Sequence, residues 1–290
     1  MKLIFSRKGF DSATGGKPSP IFPDGTMVSL PIPYPESVLA YRDIGGNHLA
    51  SVGQLVWDLA NIRQTDRAHL DPDLSVASLR RREGWRPLFG QVGMSQRHLQ
   101  NNEVGEGDVF LFFGLFRKVI KTSKGWQYDR NSRPMHVIFG WLQIKEQVAV
   151  SNWPTDKPWA LDHPHFHETF RKKPSHSLNV VYVATERLSL PGLDRLDIDG
   201  AGTVPCFSPH LRLTKPDCPQ PSRWLLPSWF SPKNRASKLT FHSKYDRWHE
   251  HPDGVELATV GRGQEFVLNC SDYPEAVPWL SGLLGAAPGS

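Results

Sequence analysis

Three histidines at alternate positions form the segment of the chain with the clearest capacity for chemistry. They are His163, His165 and His167, with a proline after the first of them to stiffen the run. Imidazole nitrogens bind transition metals and exchange protons near neutral pH. We therefore expect metal ligation or catalysis from His163 and His165, with Asp162 or Glu168 orienting them. The alternative is a structural loop whose histidines form only local hydrogen bonds.

A second pair of ligand types lies earlier in the chain, at His69 and Asp71. In an extended segment, residues two apart point the same way, so this imidazole and carboxylate can share one ion. The alternative is a turn with solvated or capping side chains. A metal held by His69, Asp71 and one of His163 or His165 would suit non-haem Fe(II), with 2-oxoglutarate as a co-substrate.

Several other side chains are suited to binding a charged substrate. We expect Arg171 or Arg262 to hold the carboxylate of 2-oxoglutarate, and Gln264 to bind an amide edge. His242 and Arg247 form a pair suited to binding an anion or to acid–base catalysis. Each of these groups has a plain alternative as a solvated surface residue or part of a turn.

A metal-free enzyme is a further possibility. In that version His163 or His165 is the general base, and Lys8 with Arg262 stabilises phosphate charge, as a transferase requires. Arg7 precedes this lysine in a loop that follows the first predicted strand, and we include it among the substrate-binding residues.

A non-catalytic module is the alternative from a different functional class. Here Trp85, Trp141 and Trp224 stack on bases while the basic residues 80–82 hold phosphate, and no metal binds. The Gly-Asp pair before the apolar run at 109–116 is loosely similar to PUA-type barrels, which hold RNA or a modified base. Convergence of the histidines and Asp71 would favour the enzyme, and aromatic rings around a pocket would favour the module.

The elements that must position these groups are mainly strands. Apolar runs predict strands at residues 109–116, 135–144 and 179–184, and helical spacing predicts a helix over 47–62. We expect residues 89–93 to form a loop. The predicted fold is α+β, with a mainly antiparallel sheet or small barrel and a few flanking helices. We expect residues 1–290 to form a single composite domain with a β-rich core at 105–185.

Composition restricts the class of protein further. The 290 residues carry a net charge of +5, a balance compatible with a nucleotide or DNA partner. Three widely spaced cysteines without a CxxC pair argue against a zinc ribbon or a disulfide framework. No run approaches membrane-spanning length and the start of the chain lacks the apolar core of a signal peptide. We therefore expect a cytoplasmic protein without a membrane partner.

Seven short strings along the chain carry a family resemblance. They are SRKGFDS (6–12), PSPI with PDG (18–25), SLPIP (29–33), HLDPD (69–73), GDVFLFFG (107–114), HPH (163–165) and RGQEF (262–266). Together they resemble the nucleotide modification associated domain family, type three, over nearly the whole chain. The resemblance implies phage or bacterial systems that make or handle modified DNA bases. It implies no catalytic residue, so the site residues rest on the chemistry of their side chains.

Overall fold

The computed structural model describes residues 1–11, 14–193, 197–261 and 265–285. Its strands are β1 (Lys2–Arg7), β2 (Ser19–Ile21), β3 (Ile32–Pro33), β4 (Ala68–His69), β5 (Leu88–Val92), β6 (Val109–Thr122), β7 (Gly125–Tyr128), β8 (Met135–Ala149), β9 (Asn179–Ala184), β10 (Ala201–Thr203), β11 (Arg223–Leu226), β12 (Trp248–His251), β13 (Gly254–Ala258) and β14 (Glu265–Asn269). Its α-helices are α1 (Val52–Ala60), α2 (Gly93–Asn101), α3 (Glu168–Arg171) and α4 (Ala276–Gly285).

One large sheet organises the described chain. Its strands run in the order β14-β1-β6-β8-β9-β5, and β2, β7 and β10 pair at its sides. The pairings of β1 and β2 with β6 are parallel, whereas the others in this sheet are antiparallel. The predicted α+β fold with a mainly antiparallel sheet is therefore confirmed. The strands β6, β8 and β9 lie within the expected core at 105–185, and β1, β5 and β14 extend the sheet from outside it.

Strand β6 forms the centre of the core. Residues 109–113 and Phe116 have no exposed surface, because β1 and β8 flank the strand and aromatic rings cover its faces. Phe113 packs edge-on against Trp224, with ring centroids 5.0 Å apart. A strand buried on both faces reads as a continuous apolar run, which explains why the sequence located β6 without an alternating pattern.

The structure differs from the predicted elements in two segments. The helix expected over 47–62 begins after Ser51, whose side chain accepts a hydrogen bond from the Gln54 amide, and it ends at Asn61 in a left-handed conformation. The loop expected at 89–93 was wrong, because residues 88–92 form β5 and pair antiparallel with β9. Gly90 suggested a loop, but its missing side chain serves a close approach at the site described below.

The structure also describes the state of the cysteines and the character of the helices. Cys206, Cys218 and Cys270 are all unpaired. Over the residues that the structure covers, no helix has both the length and the apolar character needed to cross a membrane.

Candidate metal centre

The first two ligand candidates lie on a short segment that is tied to the sheet. His69 ends β4, opposite Ile32 of β3, and Asp71 follows two residues later. Asp73 then exchanges two backbone hydrogen bonds of 2.9 Å with Leu88, the first residue of β5. This anchor places the Asp71 carboxylate over β5, where it meets the second half of the site.

The other two candidates lie on a 3-10 turn at Pro164–Phe166. His163 precedes the turn, and its Nδ1 accepts a hydrogen bond from the His165 backbone amide at 3.4 Å. Asn179, the first residue of β9, donates from its amide to the His165 carbonyl at 2.9 Å. The turn is therefore fastened to the strand next to β5, and both imidazoles are almost completely buried.

The two oxygens of Asp71 have different partners. Oδ1 accepts a hydrogen bond from the Gly90 amide at 2.9 Å and lies 3.2 Å from His163 Nε2. Because His163 Nδ1 is an acceptor, its Nε2 carries the proton and donates to Oδ1. Oδ2 lies 3.6 Å from His165 Nε2 and 3.8 Å from His69 Nε2. His163 thus orients the carboxylate, while Oδ2 faces the other two imidazoles.

The orientation of the His165 ring is fixed by Asn179. Since the Asn179 amide nitrogen donates to a carbonyl, its Oδ1 faces His165 Nδ1 at 2.7 Å, and Nδ1 must carry the proton there. Burial lowers the pKa of His165 to about 4, which favours the neutral ring. The neutral ring then points the lone pair of Nε2 at a carboxylate oxygen. A cation placed between these two facing acceptors would bind both of them.

The carboxylate is held in its charged form. Burial raises the pKa of Asp71, but the hydrogen bond from His163 and the neighbouring imidazoles of His165 and His69 together hold that pKa well below its ordinary value. Burial also lowers the pKa of His69, which favours its neutral, metal-binding form. The pocket therefore contains one anionic oxygen ligand and two neutral imidazoles.

The side chains of His69, Asp71 and His165 fit a metal ion. Their potential ligand atoms all lie within 4.8 Å of one another. Ligand atoms about 2.1 Å from one ion lie about 3 Å apart in neighbouring octahedral positions. The three side chains would therefore have to move slightly closer together to coordinate one ion. Nδ1 of His69 is buried and has no hydrogen-bond partner among the described residues. Two histidines and one carboxylate are the donor set of non-haem Fe(II) sites.

A glycine on β5 makes room for this arrangement. A Cβ at Gly90 would lie 2.5 Å from Cγ and Nδ1 of His165. No side chain fits at that distance, so the His165 ring lies directly against the backbone of the strand. The Gly90 amide also donates to Asp71, so one residue supports two members of the site.

The site opens into a cavity of about 520 Å³. Arg7 and Lys8 line it together with Asp11, His69, Asp71 and His165. This volume is within the range of small-molecule sites. Asp11 adds one carboxylate to the wall, and the two cations place positive charge beside the metal-binding groups.

The lysine on this wall is held in a fixed position. Its Nζ lies 3.0 Å from Oε1 of Glu265 and 4.5 Å from the centroid of the Phe89 ring. Gln91 donates to the same carboxylate oxygen at 2.5 Å. Arg7 is held more loosely, with a 3.4 Å hydrogen bond to the carbonyl of Val260. Arg7 Nε is buried without a partner among the described residues, and burial lowers the pKa of the guanidinium.

Aromatic rings form another wall of the cavity. Phe170 stacks on His69 with centroids 5.2 Å apart and lies 4.5 Å from the ring of His165. Tyr34 meets the His69 ring edge-on at 5.4 Å. These rings cover the imidazoles and leave their nitrogens directed toward Asp71. They also give the cavity flat apolar surface suited to a planar substrate.

Two predicted site residues lie away from this cavity. His242 is fully buried, and both ring nitrogens face backbone groups: Nδ1 lies 2.9 Å from the Thr240 carbonyl, and Nε2 accepts from the Val260 amide at 3.1 Å. It therefore has no free nitrogen for the acid–base role that we assigned it. Arg247 donates to the Ala258 carbonyl at 3.0 Å and does not line the cavity.

The remaining predicted substrate contacts also have other positions. Arg171 is exposed on α3 and does not line the cavity, and Trp85 lines a different cavity, with the Arg81 guanidinium 3.9 Å from its ring centroid. Arg262 and Gln264 lie outside the described residues.

The expected orienting carboxylates are also engaged elsewhere. Asp162 pairs with Arg82 and Glu168 pairs with Lys172, so neither orients a histidine. These carboxylates are exposed, and their charges are neutralised by neighbouring cations at the surface.

Sequence reasoning missed several residues that shape the site, among them Gly90, Gln91 and Asn179. Asn179 was visible only as the first residue of a predicted strand, and nothing local assigned it a partner 14 residues earlier. Gly90 had one usable signal, because a glycine inside an apolar stretch can mark the close approach of another group to a strand.

The comparisons with known proteins yield one match. A family model described as nucleotide modification associated domain 3 matches residues 2–269, which confirms the resemblance drawn from the short strings. No curated protein and no solved structure matches the chain. The match spans both halves of the candidate metal centre and most of the sheet. The chain belongs to the family of nucleotide modification associated domain 3.

Proposed function

We propose that the chain is a metal-dependent enzyme that modifies a nucleotide or a DNA base. Family membership gives it a role in nucleotide modification. The observation that carries the proposal is the convergence of His69, His165 and Asp71 Oδ2 in a buried cluster at the wall of the cavity. His165 lies more than 90 positions after His69 and Asp71 in the chain, so an accidental local cluster is a poor explanation.

The metal in this proposal is Fe(II), with 2-oxoglutarate as the co-substrate. When bound, such an ion with open coordination positions supplies activation of dioxygen for oxidation of an unreactive carbon. His69 and His165 would supply its nitrogen ligands and Asp71 Oδ2 its oxygen ligand. His163 stays outside this set and holds Asp71 in register through Oδ1.

The cations of the cavity then bind the acidic parts of the reactants. Arg171 is not in the cavity, so we assign the carboxylate of 2-oxoglutarate to Arg7, whose buried Nε has no partner among the described residues. Lys8 lies beside Glu265 and is suited to a phosphate or a second carboxylate. Phe170 and Tyr34 shield the imidazoles from water and provide a face for a planar base.

The binding-module alternative loses its main support in the structure. Trp224 has no exposed surface and Trp141 is 8% exposed, so neither ring is available to stack on a base. Trp85 is covered by Arg81 on one face. The predicted ligands have converged and the predicted stacking rings have not, so the enzyme is the better-supported function.

The test is stoichiometric metal binding by the purified protein under anaerobic conditions. Titration with Fe(II), or with Mn(II) as a redox-stable substitute, should give one site in the parent. It should be lost in His69→Ala and His165→Ala, whereas His163→Gln should bind about 10- to 100-fold more weakly, as expected for an orienting group. Release of succinate from 2-oxoglutarate in the presence of nucleotide or DNA tests the reaction.

Two results would contradict the proposal. Unchanged metal binding in His165→Ala would exclude the assigned ligand set. A parent protein that takes up no metal, yet modifies nucleotides, would favour the metal-free transferase with an imidazole as general base. Unfolding curves of each variant in urea separate a lost ligand from a lost fold.

A further inference from the structure

A short turn beside the cavity presents an aromatic ring to solvent. Phe241 lies in the turn closed by the hydrogen bond from the His242 amide to the Leu239 carbonyl, and 47% of its surface is exposed. Its φ is +65°, a conformation that L residues with bulky side chains rarely adopt. Glycine or asparagine is the usual residue there, so phenylalanine occupies this position at a cost to the backbone.

The residues on both sides of this ring are firmly fixed. Thr240 exchanges hydrogen bonds with Val267 of β14, and His242 is bonded through both ring nitrogens. The Phe241 ring rests on His98 of α2, with centroids 4.4 Å apart. The ring therefore has a set direction and one free face, which is what a stacking surface needs.

A second exposed ring and two cations lie on the same segment. Tyr245 is 56% exposed, and the Lys238 ammonium lies 4.1 Å from its ring centroid. Lys244 is exposed, and within the described ranges neither lysine forms an ion pair. The two rings are four positions apart in the chain, so their Cα atoms are at most about 14 Å apart. We name Lys238, Phe241, Lys244 and Tyr245 the aromatic–basic loop.

This loop backs directly onto the rim of the candidate metal centre's cavity. His242 accepts from the Val260 amide at 3.1 Å, and Arg7 donates to the Val260 carbonyl at 3.4 Å. Arg7 and Gly261 both line the cavity. A chain bound along the loop would therefore pass the mouth of the cavity.

We propose that the aromatic–basic loop binds single-stranded DNA and delivers a base of that strand to the metal centre. Aromatic rings stack on any base, and lysines follow the phosphate backbone without reading sequence. A base in a duplex is out of reach of an enclosed site, whereas a single strand can present it. The inference rests on the proposed function and deepens it, because it makes the substrate a polymer and not a free nucleotide.

The experiment measures binding of a fluorescein-labelled 12-residue thymidine strand by anisotropy, with protein kept metal-free by a chelator. Phe241→Gly should weaken binding about 5- to 150-fold, the equivalent of one lost stacking contact. Glycine suits the positive φ, so this variant should unfold in urea at or above the parent's midpoint. Loss of affinity without loss of stability separates a binding role from a structural one.

The lysines are tested by their salt dependence. Lys238→Ala/Lys244→Ala should lower the slope of log affinity against log salt by about 1.4, since each phosphate contact with a single strand contributes about 0.7. The matched controls are Trp57→Ala, an aromatic with 48% exposure on α1, and Lys124→Ala/Lys145→Ala, two exposed lysines elsewhere. Both controls should bind as the parent does.

Three outcomes would overturn the inference: parental affinity in Phe241→Gly, an equal loss in the Trp57 control, or equal affinity for a duplex of the same length. Failure of the proposed function is separately visible. Metal titration of the loop variants should match the parent. A loop that binds DNA in a protein that binds no metal would retain the binding of single-stranded DNA and reject both the metal centre and the delivery of a base to it.

Discussion

Replacing Gly90 with alanine tests the packing on which the metal centre depends. The added Cβ would lie 2.5 Å from Cγ and Nδ1 of His165, whereas ordinary contact begins at 3.4 Å. The ring must therefore retreat by roughly 0.9 Å, or β5 must move away from it. Both movements are opposed, because the ring is buried and bonded to Asn179 while β5 is paired with β9 along its length.

Because neither the His165 ring nor strand β5 can move freely, we expect Gly90→Ala to be destabilising. Overpacking of this kind lowers the free energy of unfolding by about 1–3 kcal/mol. Displacing the ring also moves Nε2 away from Asp71 Oδ2, so metal affinity should fall by at least the 10- to 100-fold of a lost orienting contact. Urea unfolding with an unchanged dependence on denaturant gives the first quantity, and metal titration gives the second.

A double-mutant cycle assigns the cost to the His165 ring. In the His165→Ala background the space occupied by the ring is free, so Gly90→Ala should cost little, and the coupling energy should be about 1–3 kcal/mol. Gly282→Ala is the control, because its Cβ meets nothing within 4 Å and alanine favours α4. If Gly90→Ala costs the same in both backgrounds, or as little as Gly282→Ala, the close approach of ring and strand is refuted.

Three further predictions concern the supports of the fold and site. Asn179→Ala should weaken metal binding about 10- to 100-fold by freeing the His165 ring, which calorimetric titration measures. Burial, with Arg7 nearby, lowers the pKa of His136 to about 3, so its contribution to stability is present above pH 6.5 and is lost as pH falls toward 3. Urea unfolding at pH 5 should show about 2 kcal/mol less stability from this group than at pH 7, and His136→Gln should remove that part of the slope. Arg81→Ala should cost about 3–5 kcal/mol in the same assay, since it leaves the buried Asp73 carboxylate without its bidentate partner.

The sequence identified the ligand types because their spacing is local. His69 and Asp71 are two apart, and His163 and His165 are two apart, so each pair could be judged from a few residues. The meeting of the two pairs depends on the order of strands β5 and β9 in the sheet, which no local pattern contains. The choice of His165 over His163 depends on Asn179, which fixes the ring through a contact visible only after folding.

Burial, which the sequence does not show, decides which of the other polar and aromatic side chains are available to a ligand. The sequence cannot distinguish an imidazole in a pocket from one buried among backbone groups, and His242 is the second kind. Trp224 has the composition of a base-stacking residue, yet its indole donates to His136 and fills the core against Phe113. Phe241, which carried no signal in the sequence, is instead an exposed ring in a turn, with 47% of its surface accessible.

The support for the metal centre argues for a built site and against a chance cluster of polar residues. His69 and Asp71 are tied to β5 through the backbone of Asp73, and His165 is tied to β9 through Asn179. Strands β5 and β9 are themselves paired, so both halves of the donor set are fixed to one two-stranded unit. Such fixation orders the ligands before the ion arrives, which lowers the entropy that binding must overcome. The same fixation leaves Oδ2 of Asp71 between the Nε2 atoms of two imidazoles, an arrangement that a shared cation would stabilise.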